Sequence, residues 1–189
     1  HGYELWATDG TSNGTLLVKD IWQGNYGSNP TSLTVFNDML FFAATDSAHG
    51  TELWTSDGTD NGTQMVKDIN PGYQSSDPQS LTVYNNILVF QADDGVHGPE
   101  LWSTYGNAGG TQLVANIYPG AGGSYPQGFT LYQGKLFFQA DDSLHGSELW
   151  RTDGTNSGTI LFNDINTGEN SSNPASFIIY HGNLYFIAA

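Results

Sequence analysis

His49-Gly50-Thr51-Glu52-Leu53-Trp54-Thr55-Ser56-Asp57-Gly58-Thr59 is the stretch that decides the fold, because the chain contains it four times. Its copies start at His1, His97 and His145, and each begins His-Gly-x-Glu-Leu-Trp. The spacing is 48 residues throughout, so the units are 1–48, 49–96, 97–144 and 145–189, with the last three residues short. A fixed period of this length marks an array of supersecondary units. Within the second unit, Glu52 to Ser56 is a short β-competent run, and the Gly- and Asn-rich stretch from Asp57 to Thr63 is a hairpin turn. Gln64 to Ile69 is a second strand, and Asn70 to Pro78 a longer loop. Leu81 to Tyr84 and Ile87 to Ala92 are two more strands, joined at Asn85-Asn86. No stretch has helical periodicity.

Four short antiparallel strands per repeat of this length predict an all-β chain and a β-propeller of four four-stranded blades. The strand order expected from axis to rim is LTVY, LFFxA, ELWxT, then TxLVKDI. The first should be innermost because it is apolar without clean alternation, as suits a strand packed on both faces by neighbouring blades. The last should lie outermost because Lys19 and Lys67 suit an exposed edge. Three blades are then continuous, at 31–69, 79–117 and 127–165. The chain ends would supply the fourth, two strands each, in a two-plus-two closure of a single domain over 1–189. The alternative is half of an eight-bladed ring, so a monomer or a homodimer is expected.

Composition narrows the function. The chain of 189 residues carries 19 acidic and 4 basic residues, a net charge of −15. Nucleic acid is excluded as a partner, since no basic stripe exists to meet phosphate. Anionic membrane surfaces are disfavoured likewise, and no apolar run is long enough for membrane insertion. Aromatics make up 13% of residues, enough for a packed core. There is no cysteine, hence no disulfide and no thiolate metal site. Sparse Lys beside abundant Gly, Asn, Ser and Thr points to a secreted bacterial surface protein. The start in mid-pattern reads as an excised or processed piece.

The repeat Glu4-Leu5-Trp6-Ala7-Thr8-Asp9-Gly10-Thr11, followed by Gly14-Thr15 and Val18-Lys19-Asp20-Ile21, resembles the ELWxxDGT repeat of large secreted bacterial proteins. That resemblance covers essentially the whole chain. It implies propeller architecture and modules that sit beside sorting or adhesion domains, but no assigned chemistry. The third unit departs from the pattern, with Tyr105 in place of Asp, Asn107 in place of Thr, and Ala115-Asn116 in place of Lys-Asp.

Candidate chemistry recurs with the repeat. Trp6, Trp54, Trp102 and Trp150 suit either sugar stacking or packing between blades with the indole N–H satisfied. Asp46, Asp94 and Asp142 precede the recurring His and Glu, and such a trio can bind a divalent metal or form a structural hydrogen-bond device. In the device, the carboxylate would bond His, and the Glu a backbone N–H of the neighbouring blade. Asp9, Asp57 and Asp153 fit Asx-turns or calcium, the one cofactor that suits the charge. Ser28, Ser76, Ser124 and Ser172 recur before Pro as turn residues. Because each cluster recurs, and a catalytic site is built once, no enzyme is expected. Variation concentrates in the loops between blades, at Trp22, Tyr26, Asn70, Tyr73, Gln74, Tyr118, Tyr125 and Asn166. Aromatics, amides and carboxylates on a fixed Gly and Pro frame suit a carbohydrate, or a polar protein surface. The expected function is therefore an extracellular recognition or adhesion module, the alternative a structural spacer in a larger secreted protein.

Overall fold

Each repeat folds into antiparallel strands joined by the turns its Gly, Asn and Asp residues dictate. The computed structural model describes residues 1–189. Strands β1 (Leu5–Ala7) and β2 (Leu16–Lys19) form a two-stranded sheet. A four-stranded sheet follows: β3 (Thr31–Phe36), β4 (Met39–Asp46), β5 (Gly50–Ser56) and β6 (Gln64–Lys67), paired in that order. The second full sheet is β7 (Gln79–Tyr84), β8 (Ile87–Asp93), β9 (Pro99–Thr104) and β10 (Gln112–Ala115). The third is β11 (Gln127–Tyr132), β12 (Lys135–Asp141), β13 (Ser147–Thr152) and β14 (Ile160–Asn163). Strands β15 (Ala175–Tyr180) and β16 (Asn183–Ile187) close the chain as a second two-stranded sheet. One short 3₁₀ turn, Ala108–Gly110, is the sole helical element.

Two kinds of turn set this pattern. Asn37 and Asp38 both have positive φ, 49° and 59°, as do Gln133 with Gly134 and His181 with Gly182. These are the tight turns whose twist matches paired strands. Between β5 and β6, Asp57 Oδ1 accepts bonds from Thr59 N and Thr59 Oγ1 at 2.9 and 2.7 Å. Gly62 is required there because a Cβ would sit 1.9 Å from the Asp57 carboxylate. The third unit has no Asp at this point, and Asn107 instead caps the 3₁₀ turn by accepting from Gly110 N.

The sheets stand face to face in a row. Strands β3, β7, β11 and β15 lie beside one another along it. Side chains alternate between the two faces of each sheet. Phe36, Phe41 and Leu53 point forward onto Leu88, Phe90 and Trp102, and the same contact recurs one sheet on, where Tyr84, Val89 and Leu101 meet Leu136, Phe138 and Trp150. At the outer rim, Lys19 Nζ reaches Asp60 O, and Lys67 Nζ reaches Thr111 O, both at 2.9 Å.

Three expectations are corrected. The strand order within each sheet is the expected one, but the first strand is not packed on both faces. Leu33, Val35 and Leu131 on the first strands are exposed, whereas β4, β5, β8 and β9 hold the core. A first strand has one open edge, while a middle strand is covered by both neighbouring sheets. Secondly, the indole Nε1 atoms of Trp54, Trp102 and Trp150 are buried without a hydrogen-bond partner in the chain. Their rings pack on apolar side chains of the preceding sheet, and Lys67 Nζ of that sheet also lies over the Trp102 ring, 5.6 Å from its centre. Finally, the two half-sheets do not join: no ladder links β16 to β1. The three full sheets between them hold them at opposite ends of the row.

Candidate functional site: the loop face

At the centre of each repeat sits a buried glutamate. Glu52 is fully buried and accepts four hydrogen bonds from the loop that leads to the next sheet. Ile69 N and Asn70 N donate at 2.9 and 3.3 Å, Ser76 N at 3.1 Å, and Ser76 Oγ at 2.6 Å. Glu4 receives the same set from Ile21, Trp22 and Ser28. Glu148 receives it from Ile165, Asn166 and Ser172. Glu100 is bonded by Ile117 N, Tyr118 N and Ser124 Oγ. The partners lie in the connecting loop, not within a strand of the neighbouring sheet. The recurring serines are thus the hydroxyl half of this staple. Burial pushes the Glu52 carboxyl up to about 7 and raises that of Glu100, against donors that favour the ionised form.

The staple draws each connecting loop against the β4–β5 type of turn, so both kinds of loop share one end of the sheets. A Cβ on Gly50 would lie 2.5 Å from Gln74 O, and one on Gly98 would meet Ala121 and Gly123. Thr51 N donates to Ser75 Oγ at 2.9 Å. At the same end, Asp46 Oδ1 accepts from Ala48 N and His49 N, and Oδ2 pairs with His49 Nδ1 at 2.8 Å. Asp94 with His97, and Asp142 with His145, repeat that arrangement at 2.8 Å. The bond to Asp46 raises the His49 pKa, and His145 is raised by Asp142. Burial opposes ionisation of Asp46, but the bonds from His49 and Ala48 N–H leave it below its ordinary value. Asp46, Asp94 and Asp142 therefore spend their oxygens on the turn. No three His, Asp or Glu side chains converge on a metal-sized gap.

The eight loop residues divide into two groups. Tyr26, Tyr73, Gln74 and Tyr125 are exposed. Trp22 is half-buried and stacks on Tyr26 at 5.1 Å. Asn70 and Asn166, by contrast, are loop braces, their Nδ2 donating to Ser75 O at 3.0 Å and Ser171 O at 3.3 Å. Tyr118 folds back over Gly122 of its own loop. The amide nitrogens of Asn70 and Asn166 are thus taken up by their own loops, while Tyr118 and Asn166 stay half-buried.

Between the second and third sheets, a cleft of about 330 Å³ is lined by Tyr125, Gln79, Gln91, Gln127, Asp77 and Asp93 among others. Burial, with the nearby charge of Asp93, raises the Asp77 pKa. The glutamines escaped sequence reasoning, which looked for variation in loops only. A signal was present on the strands: where Gln91 and Gln139 stand, the other repeats carry Ala43 and Ile187.

No family model matches the chain, and no curated protein matches it. Among solved structures, it is similar to the computationally designed Ika8 protein, at 17% identity and a TM-score of 0.51. That match covers 92% of this chain and 46% of the other, so the chain spans less than half of it. A second likeness is to an alpha-L-arabinofuranosidase from Clostridium thermocellum, at 18% identity over 95% of this chain and 74% of that one, with a TM-score of 0.32. At that score it carries no argument. No helix is long and apolar enough to cross a membrane.

Proposed function

We propose that the sheets are propeller blades set in an arc, and that their loop face is a non-catalytic extracellular recognition surface for a neutral glycan. The observation that carries this reading is the cleft between the second and third sheets. It offers one exposed aromatic, Tyr125, three amides at Gln79, Gln91 and Gln127, and two carboxylates at Asp77 and Asp93. Amides and carboxylates placed beside an aromatic face match the alternating hydroxyl and C–H surface of a sugar. The buried glutamates support the reading, because a loop stapled at three or four points presents its side chains with little left to order on binding. The ELWxxDGT resemblance supports secretion and a modular, adhesive context. The His–Asp pairs recur three times and serve turns, which is the ground for proposing no catalytic centre and no resident cofactor.

Binding to an array of neutral glycans tests the proposal. The expected outcome is a hit whose affinity falls at least about tenfold in Tyr125→Ala and in Gln127→Ala, a loss near 1.4 kcal/mol. Both side chains are exposed, so the melting temperature should not move. A hit that survives both changes, or the absence of any hit, would overturn the site. Hydrolysis of a bound glycan, lost in His49→Ala with the fold intact, would overturn the non-catalytic reading.

A further inference from the structure

The two half-sheets are complementary, and we infer that a second copy of this chain completes them: β16 of one copy pairs with β1 of the other, so that two copies close one ring. The inference rests on reading the sheets as propeller blades. It begins from equivalent positions. Tyr185 is 49% exposed, yet its counterparts Phe41, Val89 and Phe137 are 2, 0 and 6% exposed. Trp6 is 55% exposed, and its counterparts Trp54, Trp102 and Trp150 are 7, 5 and 8%. Tyr180 and Phe162 are exposed, while Phe36, Tyr84, Val66 and Val114 at the matching places are buried. The surface left open at each end is thus the surface that every interior sheet covers.

The sequence of the open edges points the same way. β1 reads Leu-Trp-Ala and β16 reads Asn-Leu-Tyr-Phe-Ile, with no charge, Pro or Gly in either. Edges meant to stay free are blunted by such residues, as Lys67 does on β6. A net charge of −15 per copy opposes association in general, but strands β1 and β16 carry none of it, and Glu4 beside β1 is already bonded within its own loop.

Copy number follows from the fold. One copy supplies an inner half-sheet, an outer half-sheet and three full sheets, four blades in all. The chain does not pair its own ends, so four is not the ring it closes. Propellers span roughly 4–8 blades, and eight is the next multiple. A two-fold axis through such a ring makes the same seam twice, which is the closed symmetry that dimers favour.

The register is fixed by the full sheets. Phe42 pairs with Trp54 and Phe41 with Thr55, and the same pairs recur as Phe90 with Trp102 and Val89 with Ser103. Shifted by the 48-residue repeat, Phe186 faces Trp6 and Tyr185 faces Ala7 across the seam. A slip of one residue would turn every side chain to the wrong face.

Light scattering across a concentration series, with cysteine cross-linking, tests this. The chain should pass from one copy to a limiting mass of twice 20.4 kDa as concentration rises. Tyr185→Lys should hold it at one copy without lowering the single chain's melting temperature, since Tyr185 is exposed. The native chain has no cysteine, so engineered pairs report cleanly. Ala7→Cys with Tyr185→Cys should oxidise to a doubly linked dimer, while Thr8→Cys with Tyr185→Cys should not, because their Cβ atoms point to opposite faces. A single-copy mass at hundreds of micromolar overturns the inference. So does a mass above two copies, or equal linking of the two pairs. Glycan binding by a chain that stays monomeric would separate its failure from failure of the recognition surface.

Discussion

Glu100-Leu101-Trp102 in the second full sheet and Glu4-Leu5-Trp6 in the first half-sheet are the same three residues in the same kind of strand. Both leucines are buried, because both point forward onto a following sheet. The tryptophans differ, because Trp102 points back onto the first full sheet and Trp6 points back onto nothing in its own chain. Burial in a repeat array is therefore a property of the neighbour, not of the motif. An interior sheet buys its stability from two interfaces, and an end half-sheet has one.

Breaking that comparison should give the largest effect. Trp102→Ala should cost about 4 kcal/mol, as for other large aromatic truncations in a core. Trp6→Ala should cost the dilute, single-copy chain less than about 1 kcal/mol, within the range of surface changes. Urea denaturation of both variants measures the difference. Equal losses would mean that the open face of the half-sheet is covered in the monomer.

The glutamate staple sharpens the comparison by a different route. Glu52→Gln should cost roughly 3 kcal/mol, since an amide nitrogen would face backbone donors that lose their acceptor. Glu4→Gln should cost less, because Glu4 lies at the open end and is less completely buried than Glu52. The wild-type pH profile carries a matching sign. Burial raises the Glu52 carboxyl from 4.5 to about 7, so between those values the folded chain holds a proton that the unfolded chain has released. Its contribution to stability falls as pH rises through that window. His49 and His145 are raised above 6.5 by their aspartates, so what they add is present below 6.5 and is lost as pH rises through their folded values. Asp46 and Asp142 are lowered, and what they add disappears only as pH falls below 3.8. The melting temperature should thus be higher at about pH 5 than at about pH 8. Glu52→Gln should flatten part of that slope. A melting temperature that rises from pH 5 to pH 8 would contradict the assignment.

The repeat, the four strands per unit and their order were legible because Gly-rich turns recur at fixed offsets, and a turn is a local event. The all-β class follows from that alone. The staple was half legible: Glu4, Glu52, Glu100 and Glu148 stood out, but their donors are backbone N–H groups 17 to 24 residues away, which no side-chain pattern records. Asn70 and Asn166 looked like free amides for a similar reason, since the carbonyls they brace against leave no mark in composition. The cleft at Gln79, Gln91 and Gln127 needs the third dimension, because it forms between two sheets. Nor could sequence reveal which apolar residues stay exposed. Tyr185 and Phe41 obey one pattern, and only the place of a sheet in the row separates them.

The smallest expected effect concerns the charge that interior and end sheets share. Nineteen acidic residues face four basic ones, and the acids crowd the Asp turns at both ends of the strands. Self-repulsion at this density costs on the order of a few kcal/mol at low salt, a real share of a net stability of about 5–15 kcal/mol. Sodium chloride should relieve it over tens of millimolar, by screening, and should raise the melting temperature by a few degrees. Calcium at equal ionic strength should add nothing further. The Asp57 carboxylate already accepts from Thr59, and the Asp46 carboxylate is taken up by His49 and its turn, so a cation would have to displace bonds that the turns need. The third unit makes the same turn with Tyr105 in place of Asp, using Asn107 as its cap. A differential scan in constant sodium chloride, with millimolar calcium and then with EDTA, decides between the two. A calcium-dependent rise of many degrees that EDTA abolishes would mean that the ion is held at specific sites on the folded chain.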